Sequence, residues 1–188
     1  MKPPNKHLPI SPSKTLVKFG DHIASLGEGP IIDAPCGYGR NAVALAARGC
    51  TVIAIDKDLK RLAVLDRLKA GYVTERASVG VSAGKILSVC ADLTPEGWPV
   101  ARSSVSAIVC VHFAMIDLIP SFIGSLRMGG HLYVETFGGQ GQNFRELPRA
   151  GQLRELLSMY VEFGYYKEQK VGPPEIDSVS VILLAKRR

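Results

Sequence analysis

The stretch IIDAPCGYGRNAVALAARG, residues 31 to 49, decides the interpretation of this chain. A short apolar run ends in an acid, two glycines follow one residue apart, and an Ala/Leu pattern typical of a helix comes next. A glycine-rich turn between a strand and a helix exposes backbone N–H groups to a ligand. The stretch therefore predicts a ligand-binding loop at the carboxyl end of a buried strand.

Strand and helix patterns alternate along the rest of the chain. The predicted strands are residues 30–33, residues 50–56, KILSVCADL up to about Cys90, SVSAIVCVHF, a strand after Gly129-Gly130, and residues 161–169 and 178–185. The predicted helices are residues 11–26, capped by Ser11, residues 41–48, a helix capped by Asp58 with Leu59, Leu62, Leu65 and Leu68 on one face, residues 116–126 with a break at Pro120, and residues 150–160. Residues 70–84 are predicted as a loop with some strand, and residues 138–141 as a flexible loop.

This alternation predicts an α/β fold. We expect a Rossmann-like, doubly wound sheet of seven strands, mostly parallel with an antiparallel C-terminal strand, and helices on both faces. Residues 1–10 are expected to be a flexible lead. Residues 11–188 would form a single domain, in which residues 11–27 are a candidate lid helix.

Composition narrows the class of protein. The chain has 188 residues, 46% hydrophobic and 21% charged, which is typical of one globular domain. It has no long apolar run and no signal-peptide core, so we expect a cytoplasmic protein without a membrane segment. Cys36, Cys50, Cys90 and Cys110 are too scattered to predict a metal site. The net charge of +6 would suit nucleic acid, but the basic residues are dispersed, so that partner is not favoured and stays open.

Two ligands compete for the glycine-rich loop. The spacing Gly37-x-Gly39-x-x-Ala42 fits the dinucleotide fingerprint, and Asp56 stands where that fingerprint has its ribose-binding acid. Asp33 separates the two, because a carboxylate at the strand end repels a pyrophosphate and attracts an ammonium group. S-adenosylmethionine has such a group, together with a sulfonium and a ribose diol. The loop therefore favours S-adenosylmethionine, with an NAD(P)-binding redox or sensor domain as an alternative.

Four ordered elements, over about residues 28 to 187, resemble class I S-adenosylmethionine-dependent methyltransferases. DAPCGYGR is similar to the family's first motif, VIAID to its second, and VCADL to its third. SLRMGGHLYVETF resembles its turn into the fifth strand, with Met128 in place of proline. A looser likeness, to small-molecule methyltransferases of the tellurite-resistance type, rests on YVETF, GQLRELL and VSVILLAKR; Gln152 departs from the glutamate usual there.

The resemblance implies a role for several residues in binding the cofactor. Asp33 would accept a hydrogen bond from the amino group, Asp56 would bind the ribose diol, and Asp92 with the Leu93 backbone would contact the adenine edge. The other predicted cofactor-binding residues are Cys36, Gly37, Gly39, Lys57, His112 and Phe113. Each has a structural alternative: a plain turn for the glycines, a cap for the acids, and a small loop residue for Cys36. A Pro-Cys nucleophile, as in pyrimidine C5-methyltransferases, is not favoured at Cys36, which lies in the cofactor loop.

The acceptor side is less well determined. His112 is the candidate catalytic residue, as a base or to orient the acceptor. Tyr38, Tyr133, Glu135 and residues 138–143 are further candidates. The predicted reaction is methyl transfer to a small nucleophile such as a thiol or oxyanion, by a monomer or homodimer. A methyltransferase acting on RNA or protein is the alternative.

Overall fold

The computed structural model describes residues 11–26, 29–78, 84–112, 116–136, 144–173 and 175–188. Helices and strands alternate along most of these residues, but no helix lies between the third and fourth strands or between the last two. The helices are α1 (Lys14–Ala24), α2 (Arg40–Ala46), α3 (Leu59–Ser78), α4 (Ile119–Ser125) and α5 (Gln152–Leu157), with short 3-10 turns at Ile116–Leu118 and Phe144–Glu146. The strands are β1 (Ile31–Asp33), β2 (Val52–Asp56), β3 (Ile86–Cys90), β4 (Val105–Val111), β5 (Leu126–Glu135), β6 (Val161–Lys170) and β7 (Val179–Arg187).

The seven strands form one sheet in the order β3-β2-β1-β4-β5-β7-β6. Strands β1 to β5 pair in parallel, and β7 lies antiparallel between β5 and β6. The predicted mostly parallel sheet with an antiparallel C-terminal strand is confirmed. The strand order reverses between β1 and β4, and ligands of doubly wound sheets bind in the crevice at such a point.

Hydrophobic residues cover both faces of the sheet. Adjacent side chains of β1 point to opposite faces of the sheet. Ile31 belongs to a hydrophobic cluster with residues of α1, α2 and α3, and Ile32 belongs to a second cluster with residues of α4 and α5. All seven residues of β4 are buried, as expected for a central strand covered on both faces. Helices on both faces are therefore confirmed.

Helix α1 packs into the core along most of its length. Leu16 and Ile23 are fully buried, and the Arg127 guanidinium donates to the Leu26 carbonyl at its far end. Ser13, and not the predicted Ser11, caps the helix, because its hydroxyl accepts from the backbone N–H groups of the first turn. The first turn lies at the carboxyl edge of the sheet. A lid role for this helix stays a prediction.

Two predicted boundaries are wrong. Helix α3 continues to Ser78 where a loop with some strand was expected for residues 70–84; Gly71 costs about 1 kcal/mol in a helix interior, and twenty residues can absorb this. Strand β5 begins at Leu126, before the Gly129-Gly130 pair rather than after it. Its register against β4 shifts in this region, and Gly129 has a φ of +76°, so the glycines form an irregularity within the strand.

None of the described helices is long and apolar enough to cross a membrane. The cytoplasmic location stays a prediction from the sequence. The loop at residues 138–141 lies outside the described residues.

Candidate functional site

Polar side chains gather at the carboxyl edge of the sheet, where the parallel strands end together. Asp33 ends β1, Asp56 ends β2, Glu135 ends β5, and His112 directly follows β4. This row crosses the point where the strand order reverses. Sequence order separates these residues widely, and the parallel pairing brings them to one edge.

Asp33 is the buried acid without a partner. Its side chain is fully buried, and neither carboxylate oxygen accepts a hydrogen bond from the described residues. Burial raises the pKa of Asp33 to about 7, and this shift is opposed only in part by the Arg40 charge and by the nearby Ala42 N–H, which does not reach hydrogen-bond geometry. A buried ionised carboxylate normally requires a partner, so this one is suited to a cation supplied by a ligand.

The two glycines of the loop have different roles. Both have positive φ, +56° at Gly37 and +79° at Gly39. A Cβ on Gly37 would meet nothing within 4 Å, whereas one on Gly39 would lie 2.2 Å from a methyl carbon of the buried Leu65. Gly39 therefore lets the loop pack against α3, and Gly37 alone leaves open space where a ligand could approach the backbone.

Asp56 holds the loop in place. One carboxylate oxygen accepts from the Gly37 N–H at 2.8 Å and the other from the Asp58 N–H at 2.9 Å. The Arg61 guanidinium lies 4.0 Å away. Each carboxylate oxygen has a second lone pair, so these bonds leave Asp56 able to accept from a diol. Asp58 caps α3 through the Lys60 N–H, as predicted.

The residues predicted to contact the adenine lie further along the same edge. The Asp92 carboxylate is exposed and pairs with the Lys57 ammonium at 3.4 Å. The Leu93 side chain is buried in the core, so only its backbone could face a ligand. Phe113 lies outside the described residues. The adenine contacts of Asp92 and Leu93 stay a prediction.

The Cys36 side chain turns away from the open side of the loop. It is buried among the residues that pack against α2 and α3, its N–H donates to the Ile55 carbonyl, and its carbonyl accepts from Gly39. Burial, with the Asp33 charge, raises the pKa of the thiol well above its usual range. The cofactor-binding role of Cys36 stays a prediction, and the structure gives no support to a nucleophilic thiol here.

His112 stands on the other side of the crevice, in a left-handed backbone conformation with a φ of +60°. Its N–H donates to the Glu135 carbonyl at 2.6 Å, which holds this conformation. Its Nδ1 lies 3.3 Å from the Arg40 guanidinium and its Nε2 lies 3.8 Å from the Glu135 carboxylate. Because arginine only donates, Nδ1 accepts and the proton is on Nε2. Burial and the Arg40 charge lower the pKa of His112, so the ring is neutral at pH 7.

Glu135 connects this group to the first turn of α1. Its carboxylate accepts from the Ser13 and Tyr133 hydroxyls, while the Ser13 N–H donates to the Asn41 side chain at 3.0 Å. Tyr133 is fully buried, so it reaches the site only through its hydroxyl. Tyr38, another predicted acceptor-side residue, instead lies on the Asp56 side, with the Arg61 guanidinium 5.8 Å from its ring centroid.

Three residues of this group were not predicted from the sequence: Arg40, Ser13 and Asn41. Arg40 and Asn41 directly follow the glycine-rich turn, and this position in the first turn of α2 could have marked them as site residues. Ser13 gave no such signal, because its bond to Glu135 joins residues 122 positions apart. Within the described residues, no group of three or more His, Cys, Asp or Glu side chains could hold a metal ion.

Solved structures with a similar architecture include several methyltransferases. A SAM-dependent methyltransferase from Methanosarcina mazei is 17% identical, with a TM-score of 0.60 over 88% of this chain and 96% of that one. TehB from Haemophilus influenzae is 16% identical, with a TM-score of 0.62 over 91% of this chain and 62% of that one. A Clostridium thermocellum protein with the provisional name rRNA-methylase is 15% identical, with a TM-score of 0.61 over 94% and 97%. No protein-family model matches the sequence, and no curated protein matches it.

These comparisons establish the fold. It is that of the class I S-adenosylmethionine-dependent methyltransferases, and TehB is among the similar structures. The predicted resemblance is confirmed at that level. At such low identity the acceptor cannot be transferred from any of these proteins.

Proposed function

We propose that this chain binds S-adenosylmethionine at the carboxyl edge of its sheet and catalyses methyl transfer to a small-molecule acceptor. The observation that carries the proposal is Asp33, a fully buried carboxylate without a hydrogen-bond partner beside the glycine-rich loop. An ammonium group is the ligand feature that would stabilise such a carboxylate. A dinucleotide has none there, and its pyrophosphate would be repelled.

The surrounding residues fit the rest of this cofactor. Gly37, four residues after Asp33, leaves open space beside the backbone, which suits the amino-acid end. Asp56 follows at the end of the neighbouring strand, with lone pairs left for the ribose hydroxyls. Lys57 and Asp92 come next along the edge, in the order in which the cofactor's parts are joined.

When bound, the cofactor supplies an electrophilic methyl group. The chain's own contribution is to align an acceptor and to exclude water. His112, Arg40 and Glu135 lie at the ends of β4 and β5 and at the start of α2, on the acceptor side of Asp33. Nδ1 of His112 accepts from Arg40, so the ring presents its Nε2–H, which can donate to an acceptor and orient it. His112 can act as a base only if the contact with Arg40 is broken.

Charge pairing favours a small acceptor over RNA. Several basic residues at this edge are paired with acids: Lys57 with Asp92, and Arg61 with Asp58 at 3.3 Å. A nucleic-acid backbone needs a track of uncompensated cations. The likeness of YVETF, GQLRELL and VSVILLAKR to tellurite-resistance-type enzymes supports the same choice. Methylation of RNA or protein is the second candidate, favoured by the net charge of +6.

Calorimetric titration with S-adenosylhomocysteine, NADH and NADPH tests the cofactor. We expect the homocysteine product to bind and both nicotinamide nucleotides to fail. Asp33→Ala and Asp56→Ala should each weaken binding, while the exposed Asp66→Ala on α3 serves as the matched control. Binding of a nicotinamide nucleotide in place of the homocysteine product would overturn the proposal.

Release of S-adenosylhomocysteine from S-adenosylmethionine tests the acceptor. A panel of small thiols and oxyanions is compared with total tRNA, ribosomal RNA and unstructured protein under the same conditions. Turnover with a small nucleophile is expected. Turnover that requires RNA or protein would replace the small-molecule acceptor while leaving the cofactor assignment intact.

A further inference from the structure

A groove lies at the amino edge of the sheet, on the far side from the candidate site. It is a cavity of about 350 Å³ lined by residues of α4, the end of α5, the end of β7 and the segment before β4. The seven residues of β4, at about 3.3 Å each, separate it by about 20 Å from His112. Its volume lies in the range of small-molecule sites.

One wall of the groove is apolar. Ile119 and Ile123 form its buried part, and Met159 and Tyr160 lie at its surface. Met159 is 80% exposed and Tyr160 is 54% exposed, unusual fractions for two adjacent large side chains that share one cavity. The wall therefore presents apolar area to a ligand.

The groove is also lined by cationic side chains. Arg102, Arg187 and Arg188 line it, and no lining residue is an acid. The Arg187 guanidinium donates to the Ser103 hydroxyl and to the Gly124 and Leu126 carbonyls, contacts that hold it in place without neutralising it. Arg102 and Arg188 form no ion pair with the described residues. In contrast, Arg48 and Arg61 elsewhere on the surface are paired with aspartates.

We propose that this groove is a binding site for a small amphiphilic anion, with a carboxylate or phosphate at the arginines and an apolar group against Met159 and Tyr160. Guanidinium groups bind both kinds of anion with paired, charge-assisted hydrogen bonds. A neutral apolar ligand would leave the arginines without a counter-charge, and a cation would be repelled. Because the site is far from the methyl-transfer site, its ligand is not the acceptor, and the inference does not depend on the proposed function.

Titration with five probes, four of them with an eight-carbon chain, tests the charge preference. Octanoate and octyl phosphate carry the anion and the tail, octylammonium reverses the charge, octanol removes it, and acetate removes the tail. The fluorescence of Trp98 reports binding, because it is the one tryptophan of the chain and packs 4.9 Å from the Phe122 ring, next to Ile123. Octanoate or octyl phosphate should bind, the better of the two identifying the anion, with octylammonium, octanol and acetate each at least tenfold weaker.

Two variants test the residues. Arg102→Gln combined with Arg188→Gln should weaken the anionic probe at least tenfold, and Met159→Asp should weaken it with the arginines still present. Arg67→Gln on α3, an exposed arginine on the other face, is the control and should bind unchanged. Thermal unfolding of each variant checks that it is folded.

Three results would overturn the inference. Octanol could bind as tightly as octanoate, which would make the groove a plain apolar patch. The double arginine variant could bind the probes unchanged. Alternatively, octanoate could fail to bind while a single-stranded RNA binds through the same arginines, which would make the groove part of a nucleic-acid surface.

Discussion

Alanine substitution at each glycine of the loop should separate stability from ligand binding. Gly39→Ala places a methyl group 2.2 Å from the buried Leu65 at a φ of +79°. An L-residue in the left-handed region costs about 1–2 kcal/mol, and overpacking of a core adds about 1–3 kcal/mol. Gly39→Ala should therefore lower the free energy of unfolding by roughly 2–5 kcal/mol, a large part of a typical domain's total.

Gly37→Ala should weaken ligand binding more than it lowers stability. Its φ of +56° costs about 1–2 kcal/mol, partly offset by about 0.4–1 kcal/mol from a less flexible unfolded chain. No atom lies within 4 Å of the added methyl group, so the core is not disturbed. The methyl group instead occupies the open space at the loop, where we propose that the ligand binds, so binding of S-adenosylhomocysteine should weaken at least tenfold.

Urea unfolding and calorimetric titration measure the two effects on the same preparations. The double variant Gly39→Ala/Leu65→Ala adds a control. Removing the Leu65 methyl groups removes the clash, so Gly39→Ala should destabilise the Leu65→Ala protein less than it destabilises the wild type. Equal losses of stability for Gly37→Ala and Gly39→Ala would refute the assignment of the clash. Wild-type binding by Gly37→Ala would refute the assignment of the ligand space.

Three further predictions concern charge and capping. Asp33 has a pKa of 3.8 in an unfolded chain and about 7 when folded, so the folded state binds the extra proton, and stability should fall as the pH rises from about 4 to 7, by up to about 4 kcal/mol. Asp33→Asn should abolish that fall in urea unfolding curves, and in the wild type S-adenosylhomocysteine should bind more tightly at pH 8 than at pH 6; a flat profile for both would contradict the buried, unpartnered carboxylate. Ser13→Ala removes the cap of α1 and the bond to Glu135, and should cost about 1–2 kcal/mol by thermal unfolding, whereas Ser13→Asp should restore the cap alone. Burial and the neighbouring His22 lower the pKa of His131 in the folded protein below its unfolded value of 6.5. The stability that neutral His131 provides above pH 6.5 should therefore be lost as the pH falls through the folded-state pKa. His131→Gln should reduce this loss of stability in acid, measured by hydrogen exchange of α1.

Local patterns were enough to predict the architecture. Buried strands that end in acids, helices after most of them, and two closing strands imply a doubly wound sheet with an antiparallel end, and the structure confirms this arrangement. Periodicity and turn chemistry act over a few residues, so they can be read without knowing the fold. They fail where local signals are weak, as for residues 70–84, where helix α3 continues.

The sequence by itself determined that Asp33, Asp56 and His112 reach one edge of the sheet, because parallel strands all end on the same side. Only the tertiary structure decided what each group does there. Gly39 meets Leu65 on another helix, and the thiol of Cys36 turns into the core. These outcomes depend on packing between segments distant in sequence, which short-range patterns do not encode. For the same reason, the lack of a partner for Asp33 could be seen only once every neighbour of that carboxylate was in place.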